Sequence, residues 1–399
     1  MDAAILSQVA LGYSPFIDRK RAVTATRLTV FPLRPDALLD VAQLLEAVGS
    51  VWPASGGRVS LNVASESLLQ DLLQADPTPN LMVEVPAFMA ADPAHALAIR
   101  ALHAAGNTLL IKGRPLKELP REVLPCFKYS IIDVSDERRV GAAQAPAGVT
   151  RSISHVQSGV RSVAEMEQSF ERGAHAVLGW PIDEVGAAVP ARKDAAAAAD
   201  MQVIVELMRR VDNEEPIEKL ETTLKRDPSL AFKLLRFINS PGFGLRVEIS
   251  SFQHAIMMMG YKRLKRWLAL LLATASKDPN QKPAMFAALR RGLLMEELVR
   301  GNGDEEMRNE VFICGVFSLL DRMFQQPIEQ LLASIPVPER VRQALVENSG
   351  PYQPYLDVVR AAEAESLFDF REAADRLMMG VGEINRAELR ALLAASQIE

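Results

Sequence analysis

Cysteine is nearly missing from this 399-residue chain, with Cys126 and Cys314 the only two. Two thiols cannot build a disulfide framework or a cysteine-ligated zinc centre. An excess of charge of one sign is also lacking: 45 basic against 50 acidic side chains leave a net charge of −5. That balance excludes the strongly basic surface of a dedicated nucleic-acid binder and leaves only a local patch open. Long hydrophobic runs are absent too. The run Trp267–Ala273 falls far below the ~20 residues a bilayer span requires. The opening MDAAILSQVALGYSPFIDRK has neither a basic start nor a long apolar stretch, so no secretory signal and a cytoplasmic location are expected. His95, His103, His155, His175 and His254 are each followed by Ala or Val, so no His-Asp ligand doublet exists. Phosphate-loop and nucleophile-elbow signatures are missing as well, and Gly242–Gly244 follows a helical stretch rather than a strand.

What is present is globular: 49% apolar and 24% charged residues, in a length that suits two or three domains. The first half alternates short apolar or β-branched runs with helical stretches. Strands are predicted at Thr24–Phe31, Arg58–Val63, Leu81–Val85, Asn107–Lys112, Tyr129–Val134, Arg151–Val156 and His175–Gly179, with an earlier one near Leu6–Gly12. Helices are predicted at Asp36–Val48, Ser65–Gln74, Pro93–Ala104 and Ser162–Arg172. Ser65 and Ser162 read as N-caps, and Gly106 and Gly173 as stops. This alternation predicts a parallel sheet, open or closed into a barrel.

Residues 186–200 read as an alanine-rich linker, with Asp194 placed to cap a helix continuing through Gln202–Val211. Beyond it the periodicity is helical throughout. Asp227–Pro228 is a cap followed by proline at the first helical position. Gly260 is predicted to end one helix and Tyr261–Ala275 to begin another. Further helices are expected near Pro283–Arg300, Asn309–Phe324, Pro338–Asn348, Pro354–Ser366 and Phe368–Met379.

Lys262, Arg263, Lys265 and Arg266, beside Tyr261 and Trp267, form the one tight basic cluster. Basic residues interleaved with aromatics suit backbone contact and base stacking. Equally, Leu264, Trp267, Leu268 and Leu271 can face a core while the cations form a solvated face. Met257, Met258 and Met259 are consecutive, so one helical stripe cannot bury all three, and an adaptable protein contact is one use for the remainder.

The strings DPSLAFKLLRFINSPGFG and ISSFQHAIMMMGYKRLKRWLALL, with CGVFSLLDRMFQQPIEQLLASI and VPERVRQAL further on, resemble the HDOD domain. That resemblance implies an all-helical, HD-like fold without the metal ligands of HD phosphohydrolases, used as a regulatory module. HDOD domains in this arrangement commonly follow an EAL domain, the barrel-type phosphodiesterase of cyclic di-GMP. The first half is similar to one in outline, through PFIDRKRAV, SLNVASESLL, LMVEVPAF, IIDVSD and FERGAHAVLGWPI. The expected architecture is therefore α/β plus all-α: a truncated, degenerate TIM-barrel-like EAL domain over 1–185, the linker over 186–200, and an HDOD domain over 201–399.

On that resemblance, Asn62, Glu84 and Asp133 are the remnants of the EAL site. The family's naming glutamate falls near Thr26, its aspartate pair at Lys112–Gly113, its lysine at Ile131, its late glutamate at Arg161 and its glutamine at Leu178. One neutral and two acidic ligands, with an ammonium among them, do not suit a hard dication. No catalytic residue, metal or cofactor is expected, and the anticipated role is non-catalytic signal transduction through a protein partner. Two alternatives follow. Lys112 and Arg114 would hold a phosphate in a metal-independent cyclic di-GMP receptor. The basic cluster Lys262, Arg263, Lys265 and Arg266 would serve a nucleic-acid-binding regulator.

Overall fold

The computed structural model of the chain describes residues 4–35, 37–54, 57–136, 153–182, 195–224, 252–274, 278–301 and 303–396. Eight strands close into a barrel in the order β1 to β8. They are β1 Val9–Asp18, β2 Val23–Pro32, β3 Arg58–Val63, β4 Leu81–Pro86, β5 Thr108–Lys112, β6 Phe127–Asp133, β7 Ser154–Val160 and β8 Ala176–Gly179. Strands β2 to β8 run parallel, and β1 closes the ring antiparallel to both β2 and β8.

The reversal between β1 and β2 is set by Asp18. Its carboxylate accepts the backbone N–H groups of Lys20 and Ala22 at 2.8 and 2.9 Å, turning the chain at Arg21, which has φ +64°. Helices α1 Val41–Gly49, α2 Glu66–Gln74, α3 Ala87–Ala90, α4 Ala96–Ala104 and α5 Val163–Glu171 lie between the strands. Asp40, Ser65 and Ser162 cap α1, α2 and α5 through side-chain oxygens.

Two strands differ most from expectation. β1 starts at Val9 and runs to Asp18, past the predicted end at Gly12. β7 reaches Val160, although its sequence is polar, because its polar side chains find partners: His155 meets Gln157 at 3.0 Å and Ser158 donates to Asp133 at 3.3 Å. The first helix begins at Val41 rather than near Asp36, because Asp40 is the cap. All eight strands of the barrel are present, and residues 137–152, between β6 and β7, lie outside the described residues.

The chain divides into two compact units. The first is Met1–Val185 with Arg360–Leu389, and the second is Gly186–Val359 with Arg390–Glu399. Beside the expected division at 185 and 201, this grouping places a stretch near the C-terminus, Arg360–Leu389, with the barrel. The reason is polar as well as apolar. Asn385, with no solvent exposure, accepts Leu11 N–H at 3.1 Å and donates to the carbonyls of Leu6 and Val9 at 2.7 Å each. Arg371 donates to the Leu33 carbonyl.

The helices of the second unit are α6 Ala195–Asp212, α7 Ile217–Leu224, α8 Phe252–Ala273, α9 Lys282–Leu298, α10 Glu305–Phe317, α11 Leu320–Phe324, α12 Ile328–Ser334 and α13 Glu339–Val346. Helices α14 Gln353–Ala364, α15 Leu367–Leu377 and α16 Val381–Ser396 follow. Gly260 breaks α8 with φ +70° and ψ +165°, as its position predicts. The segment Asn309–Phe324 is two helices rather than one, and α12 and α16 were not anticipated. The cap at Asp194, most of the linker and the string DPSLAFKLLRFINSPGFG lie outside the described residues. No helix among the described residues is long and apolar enough to cross a membrane.

Asn385→Ala should cost about 3 kcal/mol, since it leaves three buried backbone groups without partners. Arg371→Ala, at an exposed site, should cost less than about 1 kcal/mol. Urea unfolding followed by tryptophan fluorescence measures both.

Candidate functional site

Enzymes on parallel barrels place their chemistry at the C-terminal ends of the strands. Alternation along each strand decides which side chains point into that mouth. On β2 the inward set is Ala25, Arg27 and Thr29, with Ala25 in the apolar cluster that also holds Met82, Leu110, Ile131, Val156 and Leu178. Thr26, set against the family glutamate, therefore lies on the opposite face, and the charged group entering the barrel beside it is Arg27. The same parity brings in Ser60 and Asn62 from β3, Glu84 from β4 and Lys112 from β5.

These side chains satisfy one another. Glu84 is 1% exposed. Its Oε1 accepts Arg27 Nε at 2.9 Å and Ser60 Oγ at 3.0 Å, while Oε2 accepts Arg27 Nη2 at 2.7 Å. This is the bidentate fork of guanidinium and carboxylate. Asn62 Oδ1 accepts Lys112 Nζ at 2.7 Å, and its Nδ2 donates to Thr29 Oγ1 at 3.1 Å. Thr29 in turn donates to Glu365 Oε1, and Arg27 Nη1 reaches Glu365 Oε2 at 3.4 Å.

Glu365 belongs to the stretch of the first unit that comes from near the C-terminus. It lies at the corner between α14 and α15 in the left-handed region, φ +51°, immediately before Ser366 caps α15. A left-handed glutamate is uncommon and is held there by its surroundings. Gly12 on β1 admits the corner: a Cβ at that position would lie 3.0 Å from the Ala362 carbonyl oxygen and 3.2 Å from the Glu365 Cα.

Two cations and two carboxylates thus share the mouth. Burial opposes the charge on Arg27, but Glu84 and then Glu365 outweigh it, and its pKa lies above the ordinary value. Lys112 is held below the ordinary lysine value, first by burial and then by the positive charge of Arg27.

Of the residues singled out by sequence, Asn62, Glu84 and Lys112 meet here. Lys112 is engaged by Asn62 rather than left to an anion, and Arg114 is exposed, with no hydrogen bond or ion pair among the described residues. Asp133 caps the end of its own strand, accepting Ser135 N–H at 2.9 Å and Ser135 Oγ at 2.7 Å. The basic cluster is divided. Lys262 and Arg263 are exposed, whereas Lys265 pairs with Asp212 at 2.5 Å. Arg266 is forked on Glu296 and stacked 3.7 Å from the Phe312 ring centroid. Met257 and Met258 are exposed and Met259 is buried. His254 is also exposed.

The divalent ions that an EAL domain implies do not fit these donors. Both Glu84 oxygens are committed to a guanidinium and the Asn62 oxygen to an ammonium, and two fixed cations among these donors repel a dication. Arg27, Thr29, Ser60 and Glu365 were missed from sequence. Arg27 carried a signal, a lone charge inside the apolar run TATRLTVF that requires a buried partner. Glu365 carried none.

Removing one member of the pair should be costly. Glu84→Leu is expected to lower stability by about 3–5 kcal/mol by stranding Arg27, and Arg27→Met with Glu84→Leu should lose less than the single change. Urea titrations of the three proteins measure the difference.

The family model of the HDOD domain matches residues 198–325. An uncharacterized protein of Bacillus subtilis, YuxH, is 30% identical over 179 residues, 43% of each chain. The cyclic di-GMP phosphodiesterase CdgJ of Vibrio cholerae is 29% identical over 162 residues, covering 40% of this chain and 38% of that one. The chain thus spans about two fifths of the length of these curated relatives. Among solved structures, the PaMucR phosphodiesterase in complex with c-di-GMP aligns with 18% identity over 46% of this chain and 93% of that one, at a TM-score of 0.35. A standalone EAL protein from Vibrio cholerae O395, in its c-di-GMP-bound form, aligns with 16% identity over 45% and 92%, at a TM-score of 0.32.

Proposed function

We propose that this protein is a non-catalytic regulator in cyclic di-GMP signalling: a degenerate EAL-like barrel with an HDOD domain, acting through a protein partner. The HDOD match and a relative named as a cyclic di-GMP phosphodiesterase support the signalling context. The observation that carries the non-catalytic part is the closed network at the barrel mouth. Phosphodiester hydrolysis by a two-metal route needs free carboxylates converging on two dications. Here Glu84 neutralises Arg27, and the carboxylate of Glu365 enters the mouth from a corner of the same chain. Hydrolysis of cyclic di-GMP by the purified protein, followed chromatographically with magnesium and with manganese, should yield no linear product. Metal-dependent turnover abolished by Glu84→Gln would overturn the reading.

A receptor reading has its own observation. Glu365 is an anion lodged against Arg27 and indirectly against Lys112, so a phosphate exchanging with it would meet a preformed pair of cations. This reading expects magnesium-independent binding of cyclic di-GMP that tightens about tenfold in Glu365→Ala and is lost in Lys112→Glu. Isothermal titration separates the two: no heat with either protein leaves partner recognition as the function. The nucleic-acid reading retains Lys262 and Arg263 as the exposed cations of its cluster, without an ion pair among the described residues, and salt-sensitive retention on DNA or RNA is its test.

A further inference from the structure

The other end of the barrel is open. At the N-terminal ends of the parallel strands, residues of β1 to β6 and of β7 and β8 enclose a cavity of ≈ 380 Å³. On barrels of this type that face ordinarily serves stability rather than ligands. The volume falls in the range of small-molecule sites.

Its floor is apolar and made shallow-walled by small residues. Ala25 and Ala176 stand where longer side chains would fill the space above Met82 and Leu110. One wall is a ring pair, Tyr129 and His175, with centroids 5.3 Å apart and planes tilted by 34°. The rim carries Arg19, Lys20 and Arg58 against a single carboxylate, Asp18. That carboxylate is occupied by the backbone N–H groups of its own turn. Arg19 is fixed by the carbonyls of Ala174 and Phe170 at 3.1 and 2.9 Å, contacts that orient its charge without cancelling it. Among the described residues none of the three cations makes an ion pair.

An apolar floor, an aromatic wall and a rim with more cations than carboxylates together select one kind of molecule. We infer that this cavity binds a small aromatic anion, a planar apolar body carrying one carboxylate or phosphate head, with the ring against Tyr129 and His175 and the head toward Lys20 and Arg58. The body loses its hydration in the floor, and the head stays at the rim, where a charge is cheapest to keep solvated. The site is separate from the opposite mouth, and the inference does not depend on the function proposed above.

The test is isothermal titration of the full chain with 1-naphthyl phosphate and with 1-naphthoate, using neutral 1-naphthol as the control. Saturable one-to-one binding of either anion below about 1 mM, weakened at least about tenfold by Lys20→Glu with Arg58→Glu, is the expected result. The better-bound anion identifies the head. Both substituted residues are exposed, so folding should be preserved, and circular dichroism checks it. Ala25→Leu, which fills the floor, should abolish binding of the same probe. The inference fails if neither anion saturates, if 1-naphthol binds as well as the anions, or if the double charge reversal leaves affinity unchanged.

Discussion

A guanidinium inside a barrel is the constraint around which the C-terminal mouth is organised. Desolvating Arg27 is costly unless every charge it carries is answered, and Glu84 answers most of it through two hydrogen bonds. Ser60 completes the Glu84 oxygens, and the remaining guanidinium edge turns toward Glu365. Once Glu365 is required there, Thr29, Asn62 and Lys112 align behind it as a continuous hydrogen-bonded series. Each member is satisfied by the next, so the network resists substitution at any one point more than its individual bonds suggest.

That requirement reaches the other end of the sequence. The corner bearing Glu365 belongs with the barrel because Arg360–Leu389 folds into the same unit. Asn385 substitutes side-chain amide atoms for ladder partners of the first strand, and Gly12 leaves space for the corner to approach. The unit therefore draws on both ends of the chain, and its closing contacts are long-range. Closing loops of that length carries an entropic cost, and the contacts that offset it join residues more than 300 positions apart.

This is also where reading the sequence reaches its limit. Strand and helix alternation was visible because it depends on local periodicity, and Ser65, Ser162 and Gly260 were legible as caps and breaks for the same reason. β7 was placed too early because its polar residues resemble a loop until their buried partners are known. Asn62, Glu84 and Lys112 were identified as a set through resemblance, yet their roles were not. Which side chain lies inward is decided by strand parity at single-residue precision, and a shift from Thr26 to Arg27 exchanges a neutral outer residue for a buried cation. Glu365 is unremarkable in the sequence. Its importance comes only from where a helix corner lands.

The two mouths of the barrel share a scaffold but treat charge in opposite ways. At the C-terminal mouth two cations are balanced by two carboxylates within the protein, so an incoming ligand must break existing bonds before it forms new ones. At the N-terminal mouth three cations stand against one carboxylate, Asp18, which leaves the rim net positive. Binding there removes no protein–protein bond and gains the burial of an apolar body. By the energetics of exchange alone, the face that usually carries chemistry is the harder one for a small anion to enter. The face that usually carries stability is the easier.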